Sequence, residues 1–276
     1  MNYNAWADAH LTQSWVTQKG HKTSIWHTIK ADKPLYVMVH GINGNHFGLV
    51  PLAVELAQDF QLVIVELPGH GHSGYVRRPS AIKLQQWFSD VLAQIEREYA
   101  QKAVIVAHSF GCMVVLQDTL LKTRDVVLLN PVPTPSEMYE RYSRIIMRSS
   151  HFWAHIYNWR AFVFLRGLVL AKIRTRSSLT RVRWAGRQEL PSYQQIMYQA
   201  GLVDVILDPS VYDTARSGHV KLVVCGMADT TATERDMLDM RQAFGLSDVA
   251  FLNGGHLLPI ETPDRVAYVI REAMVH

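Results

Sequence analysis

The residues best placed to do chemistry lie in Val106-Ala107-His108-Ser109-Phe110-Gly111, where an apolar β-branched run gives way to a stretch with helical spacing. A serine at such a junction sits on a sharp strand-turn-helix bend that tolerates only small residues two positions before and after it, and Ala107 and Gly111 meet that demand. The bend lifts the Ser109 hydroxyl off the sheet and aims the Phe110 amide at the site where a tetrahedral oxyanion would form. A serine that merely caps a helix is the competing reading. Other combinations point to less. His70 and His72 in Gly69-His70-Gly71-His72 have no acidic or cysteine partner at ligand spacing, and His151 and His155 share a helix face but enclose Phe152 where a zinc protease needs glutamate. No phosphate-binding glycine loop occurs, so neither a metal nor a nucleotide cofactor is expected.

The elements that must position Ser109 follow from periodicity. Short Val/Ile/Leu runs at 35–39, 62–65, 103–106, 126–129, 221–224 and 249–252 read as strands buried on both faces, separated by helix-like stretches at 49–58, 80–99, 110–122, 232–245 and 262–274. Such alternation predicts a mostly parallel sheet with helices on both faces. Residues 14–17 and 24–28, around Lys19-Gly20, read as an antiparallel edge hairpin. Residues 134–216 lack a clear buried strand and read as an inserted helical subdomain, leaving 1–133 and 217–276 as the core.

With 276 residues, 48% hydrophobic and 19% charged, the chain suits one large domain with a sizeable core and is unlike a disordered protein. The longest uncharged run, Pro34 to Val54, is broken by glycines, asparagines and a proline, which argues against a membrane span. The first residues lack the pattern of a secretory signal, and Cys112 and Cys225 both fall in apolar runs, so buried reduced thiols and a cytoplasmic address are expected.

Four segments, in order, resemble the α/β-hydrolase family: His40-Gly41-Ile42 its oxyanion loop, Leu67-Pro68-Gly69-His70-Gly71-His72-Ser73 its Pro-Gly-His-Gly-x-Ser segment, Ala107 to Gly111 its nucleophile elbow, and Gly254-Gly255-His256 with Pro259, Glu261 and Pro263 its histidine loop. Alanine stands at 107 where the pattern usually has glycine. The resemblance implies an eight-stranded α/β-hydrolase fold with a helical cap and a triad of Ser109, Asp229 and His256, the acid following the penultimate strand. Some relatives carry the acid one strand earlier, where this chain has Asn130; Asp204 and Asp208 compete from the insert. His256 would act as general base and Asp229 would orient it and stabilise its cation, with the amides of Ile42 and Phe110 as oxyanion donors. His40, Asn43, His108 and Leu257 are candidates to line the pocket, His40 alternatively bracing the oxyanion loop.

This pattern implies a serine hydrolase cleaving an ester or thioester through an acyl-Ser109 intermediate, a carboxylesterase in the simplest case; relatives that use aspartate at the elbow, the haloalkane dehalogenases and epoxide hydrolases, fit less well. The alternatives are a hydrolase or carbon-carbon lyase acting on a carboxylated or carrier-bound substrate, and a ligand receptor on the same fold. Residues 141–187 contain eleven Lys or Arg and no Asp or Glu, against a net charge of +4 for the whole chain. Arg144 and Arg148 are candidates to attract an acidic substrate, and the segment as a whole an anionic carrier protein or a membrane surface. Nucleic acid is not expected, since the charge lies where this family keeps its lid.

Overall fold

Valine, isoleucine and leucine dominate the strands because branched side chains pack well on a pleated surface covered on both sides. The computed structural model describes residues 1–117, 122–132, 140–141, 144–145, 149–156, 165, 169–172, 175–207, 220–232, 234–246 and 249–275. Its eight strands are β1 (Leu11–Gln18), β2 (His21–Thr28), β3 (Leu35–Val39), β4 (Gln61–Val65), β5 (Val104–His108), β6 (Val126–Leu129), β7 (Val220–Gly226) and β8 (Ala250–Leu252). They form one sheet in the order β1-β2-β4-β3-β5-β6-β7-β8, antiparallel at the β1-β2 and β2-β4 pairings and parallel thereafter. The edge hairpin is present and longer than its apolar residues suggest. Lys19 (φ 48°) and Gly20 (φ 81°) both adopt the left-handed conformation that matches a two-residue hairpin to strand twist.

Alternate strand residues feed two cores. Val37, Val39, Val63, Val65, Ile105 and Ala107 pack with α3 (Ala81–Tyr99) through Phe88, Val91 and Ile95. Tyr36, Met38, Leu62, Ile64, Val106 and Val127 pack with α2 (Val50–Leu56) and α11 (Pro263–Val275) through Leu52, Leu56, Val266 and Ile270. Helix α4 (Phe110–Val115) stops seven residues short of the predicted 122, with 118–121 outside the described residues. Leu116 leaves helical geometry at ψ 87°, and Gln85 takes up the freed Leu116 carbonyl at 2.8 Å through its side-chain amide. Helix α1 (Tyr3–His10), capped by the Asn2 side chain, and the short α10 (Leu258–Glu261) are additions to the predicted elements; α9 (Glu234–Phe244) matches its predicted stretch.

The 134–216 segment contributes α5 (Ser150–Ile156), α6 (Arg176–Ala185), α7 (Tyr193–Ala200) and α8 (Val203–Ile206), and no strand among its described residues. A Ser192/Gln195 capping box starts α7, which docks on the loop after β4: Gln199 Nε2 donates to Gly69 O at 3.0 Å, Gln195 Nε2 to Gly71 O at 2.6 Å and Tyr198 Oη to Val76 O at 3.2 Å. Gly69 (φ 70°) has no room for a side chain, since a Cβ there would lie 2.1 Å from the Tyr198 ring. Cys112 and Cys225 are free and buried.

Candidate active site

Ser109 follows β5 and precedes α4 with φ 54° and ψ −121°, a conformation that a non-glycine residue holds only under constraint. Two close approaches supply the constraint. The Ser109 amide donates to Leu129 O of β6 at 2.9 Å, and α4 sits so near β3 that a Cβ on Gly111 would meet His40 O at 2.7 Å and Val39 O at 2.9 Å. Ala107, fully buried between Val39 and Leu128, shows that a methyl group fits two residues before the serine.

Ser109, Asp229 and His256, distant in sequence, form one hydrogen-bonded chain. His256 Nε2 is 2.8 Å from Ser109 Oγ, and His256 Nδ1 is 2.8 Å from Asp229 Oδ2. Asp229 can only accept in this contact, so Nδ1 carries the proton and Nε2 presents a lone pair to the serine hydroxyl. Sequence reasoning missed two residues that complete the carboxylate's surroundings. Thr231 donates to Oδ1 through its amide at 2.8 Å and its hydroxyl at 2.7 Å, and Asn130 Nδ2 donates to Oδ2 at 2.7 Å. Burial alone would raise the Asp229 pKa; His256 and the Thr231 donors outweigh it and bring it to about 2. Asn130, at the position where some relatives carry the acid, thus donates to Asp229 instead of replacing it.

The histidine loop is held from three sides. His108 Nε2 donates to His256 O at 2.7 Å, His256 N donates to Leu170 O at 2.8 Å, and the carboxylate of Glu261 accepts from Gly255 N at 3.0 Å to each oxygen and from Leu257 N at 3.1 Å. Glu261 is 2% exposed, and burial lifts its pKa to about 7 although the main-chain amides pull the other way. The Glu261 signal was present in the sequence as a carboxylate just behind His256, but its role depends on the loop closing on it.

Beyond β3, the Ile42 and Phe110 amides donate to no acceptor among the described residues. Gly41 keeps that space open: a Cβ there would lie 2.9 Å from Ser109 Cβ and 3.3 Å from Ser109 Oγ. Three pocket candidates are engaged with the protein's own groups, His40 in the bracing role that its sequence position also suggested. His40 braces the loop: its Nδ1 donates to Gly41 O at 2.8 Å and its Nε2 accepts from Leu67 N at 3.1 Å, and burial lowers its pKa to about 4. His108 is buried and turned to His256 O, its pKa lowered to about 3 by burial. The Asn43 amide is engaged with His70 Nε2 at 3.2 Å and its side chain is exposed. Leu257 packs with Ala171, Val182 and Ile260, joining the histidine loop to α6.

Away from the serine, folding gives His72 the acidic neighbours that its sequence spacing did not reveal. Its Nδ1 is 3.4 Å from Glu66 Oε2 and its Nε2 is 3.4 Å from Glu189 Oε1. His46, Glu66 and Glu189 bring metal-capable atoms within 4.8 Å of one another. The buried Glu66 carboxylate already accepts from His46 Nδ1 at 2.8 Å and from His72 N at 2.9 Å, contacts that hold its pKa well below the usual carboxylate range against burial. Its donor set fits a brace tying the oxyanion loop to the loop after β4. Arg144 is paired with Glu140 at 2.8 Å, Arg148 and Asp208 lie outside the described residues, and Asp204 starts the short α8. His151 and His155 pack on Tyr193 of α7.

A mostly parallel sheet carries a strained serine after β5 and an Asp-paired histidine after β8, and the chain belongs to the alpha/beta hydrolase family, whose model matches residues 36–267. Among solved structures it is similar to the enol-lactonase from Burkholderia xenovorans LB400 (TM-score 0.72, 16% identity, covering 95% of this chain and 100% of that one). It is also similar to the haloalkane dehalogenase DbeA from Bradyrhizobium elkani USDA94 (TM-score 0.74, 15% identity, 96% and 99%) and to a putative lipase from Acinetobacter baumannii AYE (TM-score 0.69, 14% identity, 100% and 97%). At these identities the likeness is one of fold. No curated protein matches the sequence.

Proposed function

We propose that this hydrolase cleaves carboxylic ester or thioester bonds through an acyl-Ser109 intermediate, with Ser109, His256 and Asp229 as the triad. The observation that carries the reading is the continuous hydrogen-bonded chain from Ser109 Oγ through His256 to Asp229, with 2.8 Å at both links. In this mechanism the Ser109 hydroxyl gives its proton to His256 Nε2 as Oγ attacks the carbonyl carbon. The oxyanion receives the amides of Ile42 and Phe110, and Asp229 stabilises the imidazolium. Collapse expels the alcohol or thiol, which takes the proton from Nε2, and water activated by His256 then attacks the acyl-enzyme to release the acid. The enol-lactonase likeness is compatible with this chemistry, since a lactone is an internal ester. The dehalogenase likeness extends to the fold, while the elbow position here is a serine and not a carboxylate.

Helices α5 to α8 serve in this reading as a cap that shapes the acyl pocket. The test is initial-rate hydrolysis of p-nitrophenyl esters from acetate to palmitate by the native protein and Ser109→Ala. Turnover by the native protein that is lost in the variant supports the proposal, and the preferred chain length sizes the pocket. Equal rates for the two proteins on every ester would reject it.

A further inference from the structure

Helix α6 has two unlike sides. Toward the core, Ser178 and Val182 are buried, Ser178 Oγ donates to Glu261 O at 2.8 Å, and Arg181 donates to Ile260 O at 2.6 Å and also to Glu261 O. Arg181 is thereby withdrawn from the surface. Toward solvent, Arg176 and Arg183 are exposed within α6, and Arg187 is exposed just past its end. At 100° per residue Arg176, Arg183 and the position of Arg187 project within about 40° of one another, giving a ridge roughly 16 Å long.

None of the three arginines has a carboxylate partner among the described residues. The nearest acid in the chain, Glu189, is turned to His72. Large apolar side chains are exposed on α6 at Leu179 (36%) and near it in sequence at Leu190 (43%), Val169 (50%) and Leu165 (58%). Unpaired arginines alone would suit any polyanion. Arginines interleaved with exposed leucine and valine suit a surface that is anionic at its face and apolar just beneath it.

We propose that the outer face of α6 is a docking surface for an anionic lipid bilayer. Its inner face is hydrogen-bonded to α10, directly behind His256, so the helix is tied to the segment that follows the histidine loop. The proposal stands apart from the esterase reading, because vesicle binding requires no turnover.

The experiment is co-sedimentation of the full chain with vesicles of phosphatidylcholine alone or mixed with phosphatidylglycerol, at low salt and at about 1 M salt, where the screening length is ~3 Å. The native protein and Ser109→Ala should bind the anionic vesicles alike, release them at high salt and ignore the neutral ones. The variant Arg176→Gln/Arg183→Gln/Arg187→Gln should lose about fivefold in partitioning per arginine and about a hundredfold in all, with hydrolysis of p-nitrophenyl acetate within about twofold of native, since the substitutions lie on the solvent side. Failure of the native protein to bind anionic vesicles would overturn the proposal, as would equal binding by the triple variant. Capture by poly-glutamate without capture by vesicles would also overturn it and assign the ridge to an acidic protein.

Discussion

Asp229→Asn is the substitution whose effect follows most directly from the geometry. Four donors converge on the carboxylate, two from Thr231 and one each from Asn130 and His256. An asparagine keeps one acceptor oxygen and must turn an NH2 toward the other pair. With the oxygen kept toward Thr231, the new NH2 faces Asn130 and His256. Asn130 can answer by flipping, because its Oδ1 is buried without a partner, and the new NH2 then favours His256 Nδ1 as an acceptor over its competing contact with Thr231 Oγ1 at 2.9 Å. The imidazole proton is thereby moved to Nε2, where it faces Ser109 and abolishes the base. The lost charge adds to this. A shift from 3.8 to about 2 corresponds to about 2.5 kcal/mol of favourable interaction, or roughly sixtyfold, at about 1.4 kcal/mol per unit. Together the two effects should lower kcat on the order of 10³ to 10⁴, with KM little changed. Because the folded-state pKa is depressed, the same interaction stabilises the fold above about pH 4 and is lost as the pH falls toward 2. The native protein should therefore exceed Asp229→Asn in unfolding free energy by about 2.5 kcal/mol at pH 7, the gap closing in acid. The assays are steady-state ester hydrolysis and urea unfolding across pH. A variant retaining more than a tenth of native kcat would refute the role assigned to Asp229.

Gly111→Ala forces a methyl group against His40 O and Val39 O, both main-chain atoms that cannot rotate away. An overpacking cost of about 2 kcal/mol should lower the melting temperature by roughly 4–8 °C and misplace Ser109; an unchanged melting curve with full activity would contradict the close approach. Glu261→Gln should respond to pH in the opposite sense to Asp229. Its folded pKa of about 7 lies above the ordinary 4.5 of a glutamate, so the wild-type carboxyl favours folding most fully below pH 4.5 and loses up to about 3 kcal/mol of that advantage as the pH rises through 7. The stability of Glu261→Gln relative to wild type should improve over that interval, and a pH-independent difference would show that the carboxyl does not titrate with folding.

Strands β3 to β8 were legible because each contains a short apolar run, and the elbow because Ala107, Ser109 and Gly111 satisfy a steric rule at fixed offsets. Asp229 and His256 were legible as the residues following β7 and β8. What stayed hidden depends on tertiary approach. Thr231 and Asn130 are ordinary polar residues until β6, β7 and the histidine loop meet, and Glu66 becomes a hub only when the loop after β4 folds back over Gly71, where a Cβ would lie 2.1 Å from its carboxylate. The early end of α4 is set by Gln85 on another helix. Glu140, one residue before the uninterrupted basic segment, sits one helical turn before Arg144 and pairs with it at the surface, a contact that a charge count starting at residue 141 leaves out.

The central claim, that Ser109 is a nucleophile activated by His256, is tested most directly by intact-protein and peptide mass spectrometry after treatment with a fluorophosphonate, whose phosphorus is attacked by an activated serine oxygen with loss of fluoride. One stoichiometric adduct on the peptide carrying Ser109 is expected in the native protein, strongly slowed labelling in His256→Ala, and none in Ser109→Ala. An unlabelled native Ser109, or labelling that proceeds equally without His256, would contradict it.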